Sequence, residues 1–113
     1  MFHLEEKHVG PITILALEGS LTSGGGSGEL VRKLTDLTSH RHCALLLECS
    51  HLGEIDSEGV GALIKGLTAA QKRGGALKLL NLPPHVQRVL SVLGMLQVFE
   101  FFANEERAVA SFH

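Results

Sequence analysis

Three nearly continuous apolar runs alternate with segments of helical spacing, and this alternation limits the fold more than any other feature of the chain. The runs cover residues 12–17, 43–47 and 76–80. An unbroken apolar run is typical of a strand covered on both faces, because a half-exposed strand alternates apolar with polar residues. Strands that alternate with helices form β-α-β crossovers, so the pattern predicts a mostly parallel sheet of the α/β class.

The two segments between these runs predict amphipathic helices. Apolar residues recur at helical spacing over residues 30–37 and again over 60–70. We expect the second helix to begin at Asp56, because a short carboxylate side chain suits an N-cap. It should end at residues 72–75, where two cations precede two glycines.

A hairpin and a third helix are indicated by turn chemistry. Alternation over residues 2–4 and the turn residues at 9–11 predict an N-terminal hairpin, whose first strand forms the antiparallel edge of the sheet. Prolines at 83–84 predict the first turn of a helix that ends at Gly94. Its apolar face would comprise Val86, Val89, Leu90 and Leu93.

The C-terminal part of the chain completes the predicted order of elements. A short strand is expected around residues 98–101, and Asn104 is a natural N-cap for a last helix. The order is therefore β-β-α-β-α-β-α-β-α. No linker or internal repeat interrupts it, so we expect a single domain over residues 1–113.

Charge and hydropathy exclude several classes of function. The formal charge is −2, from 10 basic and 12 acidic residues that form no basic run, so nucleic acid is not the expected partner. No apolar stretch approaches the roughly 20 residues that span a bilayer, and the N-terminus lacks a leader pattern. We expect a cytoplasmic protein that does not insert into membranes.

The expected functional edge of the sheet lies where its parallel strands end. Ligand-binding loops of such sheets gather at the carboxyl ends of the strands. The sequence predicts three loops there, at residues 19–28, 50–56 and 82–85. Ser57 would lie at this edge, at the start of a helix.

The glycine-rich stretch at residues 22–28 leaves two interpretations open. Exposed backbone N–H groups before a helix attract anions, which would suit a nucleotide phosphate. However, no register gives G-x-G-x-x-G, and no Lys-Ser or Lys-Thr pair completes a P-loop. A flexible connection is the favoured interpretation.

Catalysis by Ser57 has only partial support. Gly59 matches the second glycine of the G-x-S-x-G elbow, but Ile55 stands at the first glycine position. Neither His51 nor His85 can be assigned from sequence as the base that a hydrolase needs. We therefore expect a protein that is not an enzyme.

Metal and redox chemistry are not expected either. His40 and His42 are close in sequence, yet no cysteine or aspartate completes a recognisable set of ligands. Cys43 and Cys49 stand at opposite ends of one predicted strand, roughly 20 Å apart, and so cannot pair with each other. We expect buried, reduced thiols and no bound cofactor or metal.

The segment 54–61 carries a hydroxyl at a helix start and two glycines inside the first turns. A glycine inside a helix costs about 1 kcal/mol relative to alanine. Either close packing against the sheet or a surface kept low for a partner could explain that cost. Phosphorylation of Ser57 would add about −1.5 to −2 charge units beside Glu54, Asp56 and Glu58. Such a phosphate would repel or block a close-packed partner, as in a binding switch.

The residues 55–61 resemble the D-S-x-G-x-G signature of STAS domains, specifically the bacterial anti-sigma factor antagonists. Further similar pieces follow in the family's order: Gly19-Ser20-Leu21, residues 72–75, residues 82–90 and residues 94–99. The resemblance implies a STAS fold. It also implies that a cognate anti-sigma factor serine kinase, which itself holds ATP, phosphorylates Ser57. The unphosphorylated antagonist would bind that kinase and the phosphorylated form would release it.

The resemblance further implies a surface for partner binding. It would comprise Thr22, Ser23, Glu54, Asp56, Ser57, Glu58, Gly59 and Gly61. Two residues depart from the family pattern: Thr22 replaces an acidic residue, and Glu58 replaces Ser or Thr. An alternative is therefore a STAS scaffold or accessory subunit in a stress-signalling or lipid-transport complex, without Ser57 phosphorylation. A small nucleotide-binding α/β enzyme is the third, more remote alternative.

Overall fold

The computed structural model describes residues 1–112, which form a five-stranded sheet with strands in sequence order. The elements are β1 (Phe2–Val9), β2 (Ile12–Leu21), α1 (Ser27–Ser39), β3 (Ala44–Ile55), α2 (Ser57–Lys72), β4 (Ala76–Leu80), α3 (Pro84–Val92), a 3-10 helix (Leu96–Val98), β5 (Phe101–Phe102) and α4 (Glu105–Ala110). The predicted α/β class and element order are confirmed. No helix within residues 1–112 is long and apolar enough to cross a membrane.

The sheet is parallel except at its first edge. β1 runs antiparallel to β2 along its whole length, and Gly10 turns the chain between them with a φ of 58°. β2, β3, β4 and β5 pair in parallel, each with the next. The predicted hairpin and antiparallel edge strand are therefore confirmed. This arrangement brings the carboxyl ends of β2, β3 and β4 to one edge of the sheet.

The main core lies between one face of the sheet and α1, α2 and α3. Leucines from the sheet and from all three helices are buried there, with Leu30, Leu45, Leu63, Leu79 and Leu90 fully inaccessible. A smaller cluster on the opposite face packs under α4, around Leu46 and Ala108. Because α4 has only six residues, it covers part of that face. The expectation of strands covered on both faces holds only for that part.

β3 is longer than the sequence indicated. Residues 50–55 were expected to lie in a loop, but they continue the strand to Ile55. The cause is pairing with the extended end of β2, where His51 lies opposite Glu18 and Leu52 opposite Gly19. Ser50, His51 and Glu54 are exposed, so this end of the strand has no continuous apolar run in the sequence.

The segment between α3 and α4 also differs from the prediction. Residues 96–98 form the 3-10 helix, and the last strand is only Phe101–Phe102, paired with Leu79 and Leu80. Phe99 instead turns into the main core, where it is 5% exposed. Leu93, expected on the buried face of α3, is 41% exposed because the helix ends at Val92 and the chain turns at Gly94.

Candidate functional site

The pairing of β2 with β3 brings the glycine-rich loop beside the start of α2. Leu21 and Ile55 are register partners at the ends of these strands. The Asp56 N–H then donates to the Leu21 carbonyl at 3.4 Å. Thr22 and Ser23 follow β2 directly and therefore lie beside the start of α2, although Ser23 precedes Ser57 by 34 residues in the sequence.

Asp56 connects these two segments through its carboxylate. Its Oδ1 accepts from the Gly59 N–H at 2.9 Å, which confirms the predicted N-cap of α2. Its Oδ2 accepts from the Ser23 N–H at 3.1 Å, across 33 residues of sequence. The hydrogen bonds from Ser23 and Gly59 hold the pKa of Asp56 below its ordinary value, because they stabilise the charged form. The Asp56 carboxylate therefore holds the first turn of α2 and the turn after β2 in a fixed relative position.

The glycine-rich loop forms a compact turn that uses its own N–H groups. Thr22 and Gly25 exchange backbone hydrogen bonds of 2.6 and 3.0 Å, and the Ser27 N–H donates to the Thr22 carbonyl at 3.3 Å. Gly26 has a φ of 87°, and a Cβ atom there would lie 2.6 Å from the Phe2 ring. These bonds occupy the N–H groups of Thr22, Gly25 and Ser27, and that of Ser23 donates to Asp56, so several of the donors that a phosphate cradle would need are already used.

Ser57 is the exposed first residue of α2 and lines a cavity on each side of that helix. The α1–α2 groove, of about 400 Å³, is lined by Ser27, Gly28, Val31, Ser57, Glu58, Gly61, Ala62 and Lys65. The α2–α3 groove, of about 270 Å³, is lined by Ser57, Arg88, Val89, Val92 and Leu93. The Ser57 side chain thus stands on a ridge between two open depressions, accessible to a partner from either side.

The two glycines of α2 have different surroundings. A Cβ atom at Gly59 would lie 2.0 Å from the Leu21 carbonyl oxygen and 2.9 Å from the Ile55 side chain. A Cβ atom at Gly61 would meet nothing within 4 Å, and Gly61 lines the α1–α2 groove. Close packing therefore explains Gly59, whereas an open surface explains Gly61.

The other candidate residues lie apart from the two grooves. Glu54 is exposed at the end of β3 and lines neither groove. His85 Nε2 lies 2.7 Å from the Gly53 carbonyl oxygen, a hydrogen bond that ties the first turn of α3 to β3. Within residues 1–112, Ser57 Oγ has no hydrogen bond to a histidine, and no cluster of three or more potential metal ligands is found. A catalytic triad around Ser57 is therefore not formed in this part of the chain.

The sequence prediction missed the α3 side of the site. Arg88, Val92 and Leu93 line the groove beside Ser57, although they follow it by more than 30 residues. One signal for them exists in the sequence. Val92 is apolar yet falls outside the helical spacing of the buried face, and it is 79% exposed.

Comparison with known proteins identifies the family. The family model described as "Mlab, STAS domain" matches residues 6–100. An anti-sigma F factor antagonist of Paenibacillus polymyxa is 24% identical over 108 residues, which cover 94% of this chain and 91% of that protein.

Solved structures show the same fold. An anti-sigma factor antagonist from Mycobacterium paratuberculosis has a TM-score of 0.86 at 13% identity, covering 99% of this chain and 94% of that chain. The Bacillus cell fate determinant SpoIIAA in its phosphorylated form has a TM-score of 0.74 at 21% identity, with complete coverage of both chains. The resemblance to antagonists of this fold is confirmed, and because the family model matches most of its length, the chain belongs to the STAS domain family.

Proposed function

We propose that this chain is a cytoplasmic anti-sigma factor antagonist that regulates transcription through binding. It binds a cognate anti-sigma factor serine kinase while Ser57 carries a free hydroxyl, and it releases that kinase once Ser57 is phosphorylated. The observation that carries the proposal is the exposed Ser57 hydroxyl on the ridge between two open grooves. The relative from Paenibacillus polymyxa, an anti-sigma F factor antagonist, supports it.

The geometry around Ser57 suits a substrate of a protein kinase. The kinase must bring the γ-phosphate of its ATP in line with Ser57 Oγ, and an exposed hydroxyl on a helix start that Asp56 caps makes that approach possible. In the transfer, the Oγ–P bond forms as the bond between the γ-phosphorus and the leaving ADP oxygen breaks. The hydroxyl proton passes to a base of the kinase. Asp56 is a weak base for this proton, because the N–H bonds from Ser23 and Gly59 lower the pKa of its carboxyl.

The partner surface is expected to extend from Ser57 over the α1–α2 groove. Gly61 leaves the floor of this groove low, and the turn at Thr22 and Ser23 lies beside the same helix start. A phosphate on Ser57 would add about −1.5 to −2 charge units at this surface, where Glu58 is already exposed. Burying that charge in an interface is costly, so the phosphorylated chain should release its partner.

Phosphate transfer and binding together test the proposal. The full chain is incubated with the cognate kinase, ATP and Mg²⁺, and the phosphorylated residue is mapped by mass spectrometry. We expect phosphate on Ser57, no labelling of Ser57→Ala, and unchanged labelling of Ser39→Ala, an exposed control at the far end of α1. Calorimetry should show that the phosphorylated chain binds the kinase at least about 100-fold more weakly, which corresponds to the loss expected for an uncompensated interfacial charge.

Two outcomes would contradict the proposal. Phosphate on another residue, or full labelling of Ser57→Ala, would remove Ser57 as the acceptor. Equal affinities of the two forms would remove the switch. Stable recovery of the unphosphorylated chain inside a larger assembly, unaffected by Ser57→Asp, would instead support the scaffold alternative.

A further inference from the structure

The α2–α3 groove differs in chemistry from the groove on the other side of Ser57. Val89, Val92 and Leu93 make its walls almost entirely apolar, and Arg88 is the one charged residue that lines it in the described part of the chain. No carboxylate lines it there. Val92 and Leu93 are 79% and 41% exposed, an unusual amount of uncovered aliphatic surface beside a hydroxyl.

The Arg88 guanidinium is available to a new anion. Within residues 1–112 it makes neither an ion pair nor a hydrogen bond, whereas Lys7, Lys33 and Lys78 each lie against a glutamate. Arg88 is exposed on α3 and lines the same groove as Ser57. Arginine is well suited to bind phosphate, since its planar guanidinium donates two parallel hydrogen bonds to phosphate oxygens.

The other cation near Ser57 is placed less favourably. Lys65 lines the α1–α2 groove, but it lies eight residues further along α2, about 12 Å away along the helix axis at 1.5 Å per residue. Glu58 lines that same groove next to Ser57 and would repel a phosphate directed there. Charge therefore directs a phosphate on Ser57 toward α3.

We propose that Arg88 is the residue that binds the phosphate of phosphorylated Ser57, and that this ion pair spans the α2–α3 groove and covers Val92 and Leu93. The inference rests on the proposed function, because it takes Ser57 as the phosphoacceptor. Phosphorylation then does two things at once. It adds charge at Ser57, on the partner surface, and it covers an apolar patch in the α2–α3 groove on the other side of Ser57.

Phosphoserine placed at position 57 during translation tests this pairing without any kinase. The phosphate's ionisation is followed by ³¹P NMR titration in the otherwise unchanged chain, in Arg88→Gln and in the matched control Lys65→Gln. A bound guanidinium favours the dianion, whose second pKa is about 6 when free. We expect Arg88→Gln to raise the phosphate's pKa by about 0.3 to 0.7 units, as for an exposed ion pair, and Lys65→Gln to leave it unchanged.

Methyl NMR supplies a second measurement of the same pairing. Phosphoserine at position 57 should shift the Val92 and Leu93 methyl signals, and Arg88→Gln should abolish most of that shift. An unchanged phosphate pKa in Arg88→Gln, or a larger change in Lys65→Gln, would overturn the proposal. Neither result would affect the mapping of kinase-transferred phosphate to Ser57, so failure of this inference and failure of the proposed function are distinguishable.

Discussion

At the scale of single residues, Gly59 and Gly61 show how two identical residues in one helix serve different needs. The α2 backbone approaches β2 so closely at Gly59 that the Leu21 carbonyl occupies the place of a side chain. Gly61, half a turn further, faces the open α1–α2 groove. The sequence predicted both explanations but could not assign them, because the approach of β2 depends on pairing between distant segments.

Alanine substitutions at the two glycines should have opposite effects on stability. Gly59→Ala should lower the free energy of unfolding by about 1–3 kcal/mol, since the new methyl group displaces α2 from the sheet. Gly61→Ala should raise it by up to about 1 kcal/mol, because alanine is the better helix former and meets no neighbour. Urea unfolding of the two variants measures both changes. A Gly61→Ala loss as large as that of Gly59→Ala would contradict this assignment.

At the scale of elements, helix ends were predicted more accurately than strand ends. The caps of α2 depend on local chemistry, and the structure confirms the Asp56 N-cap and a left-handed glycine, Gly74, just beyond the helix. The end of β3 depends instead on hydrogen bonds with β2, across more than 30 residues of sequence. Those partners leave no local pattern, so the sequence alone predicts a loop where residues 50–55 continue the strand.

The attachment of α4 depends on a buried lysine in β4. Lys78 is 6% exposed, and its Nζ donates to the carbonyl and hydroxyl oxygens of Ser111 at 2.8 and 2.9 Å. The same ammonium group lies 4.6 Å from the centroid of the Phe112 ring. A buried charge is tolerated only when it is paired in this way, so Lys78 and the end of α4 need each other.

Lys78→Met should therefore weaken the attachment of α4 to the sheet while leaving the sheet itself intact. Methionine fills a similar volume but cannot donate to Ser111, whose carbonyl loses its partner. We expect amide protons of α4 to exchange faster than in the unchanged chain, and the free energy of unfolding to fall by about 1–3 kcal/mol. The exposed control Lys72→Met should change neither quantity appreciably. Unchanged exchange in α4 would show that its apolar contacts alone hold it.

At the scale of the whole molecule, the site is assembled from segments that only the fold brings together. The sequence predicts Ser57 and the neighbouring turn as part of the candidate site because the signature and the helix cap are local. Arg88 and the apolar wall of the α2–α3 groove were missed, because they lie in the crossover between β4 and β5. Only the parallel pairing of β3, β4 and β5 places that crossover beside Ser57. The bond from His85 to the Gly53 carbonyl fixes α3 in that place.

Cys49 offers a probe of the cooperativity of this assembly. Its side chain is fully buried in the main core, and burial, with a smaller contribution from the Glu48 charge, raises the pKa of the thiol to about 12. Thiol reagents attack only the thiolate. Reaction at Cys49 should therefore require opening of the core rather than local motion at the surface.

In a Cys43→Ala background, labelling of Cys49 by a disulfide reagent should be limited by global unfolding. At pH 8, the labelling rate constant of the folded chain should equal that of the urea-unfolded chain multiplied by the equilibrium constant of unfolding. The labelling rate constant and this equilibrium constant should therefore rise in parallel as denaturant is added. Because the folded-state pKa is raised, the stability linked to this thiol is fully present below the unfolded pKa near 8.5 and is lost progressively toward pH 12. The urea midpoint of Cys43→Ala should therefore fall between pH 8 and pH 10.5. It should fall by more than the midpoint of the double variant Cys43→Ala, Cys49→Ala, which lacks this thiol. Rapid labelling in native buffer would mean that the core opens around β3 independently of the rest of the sheet.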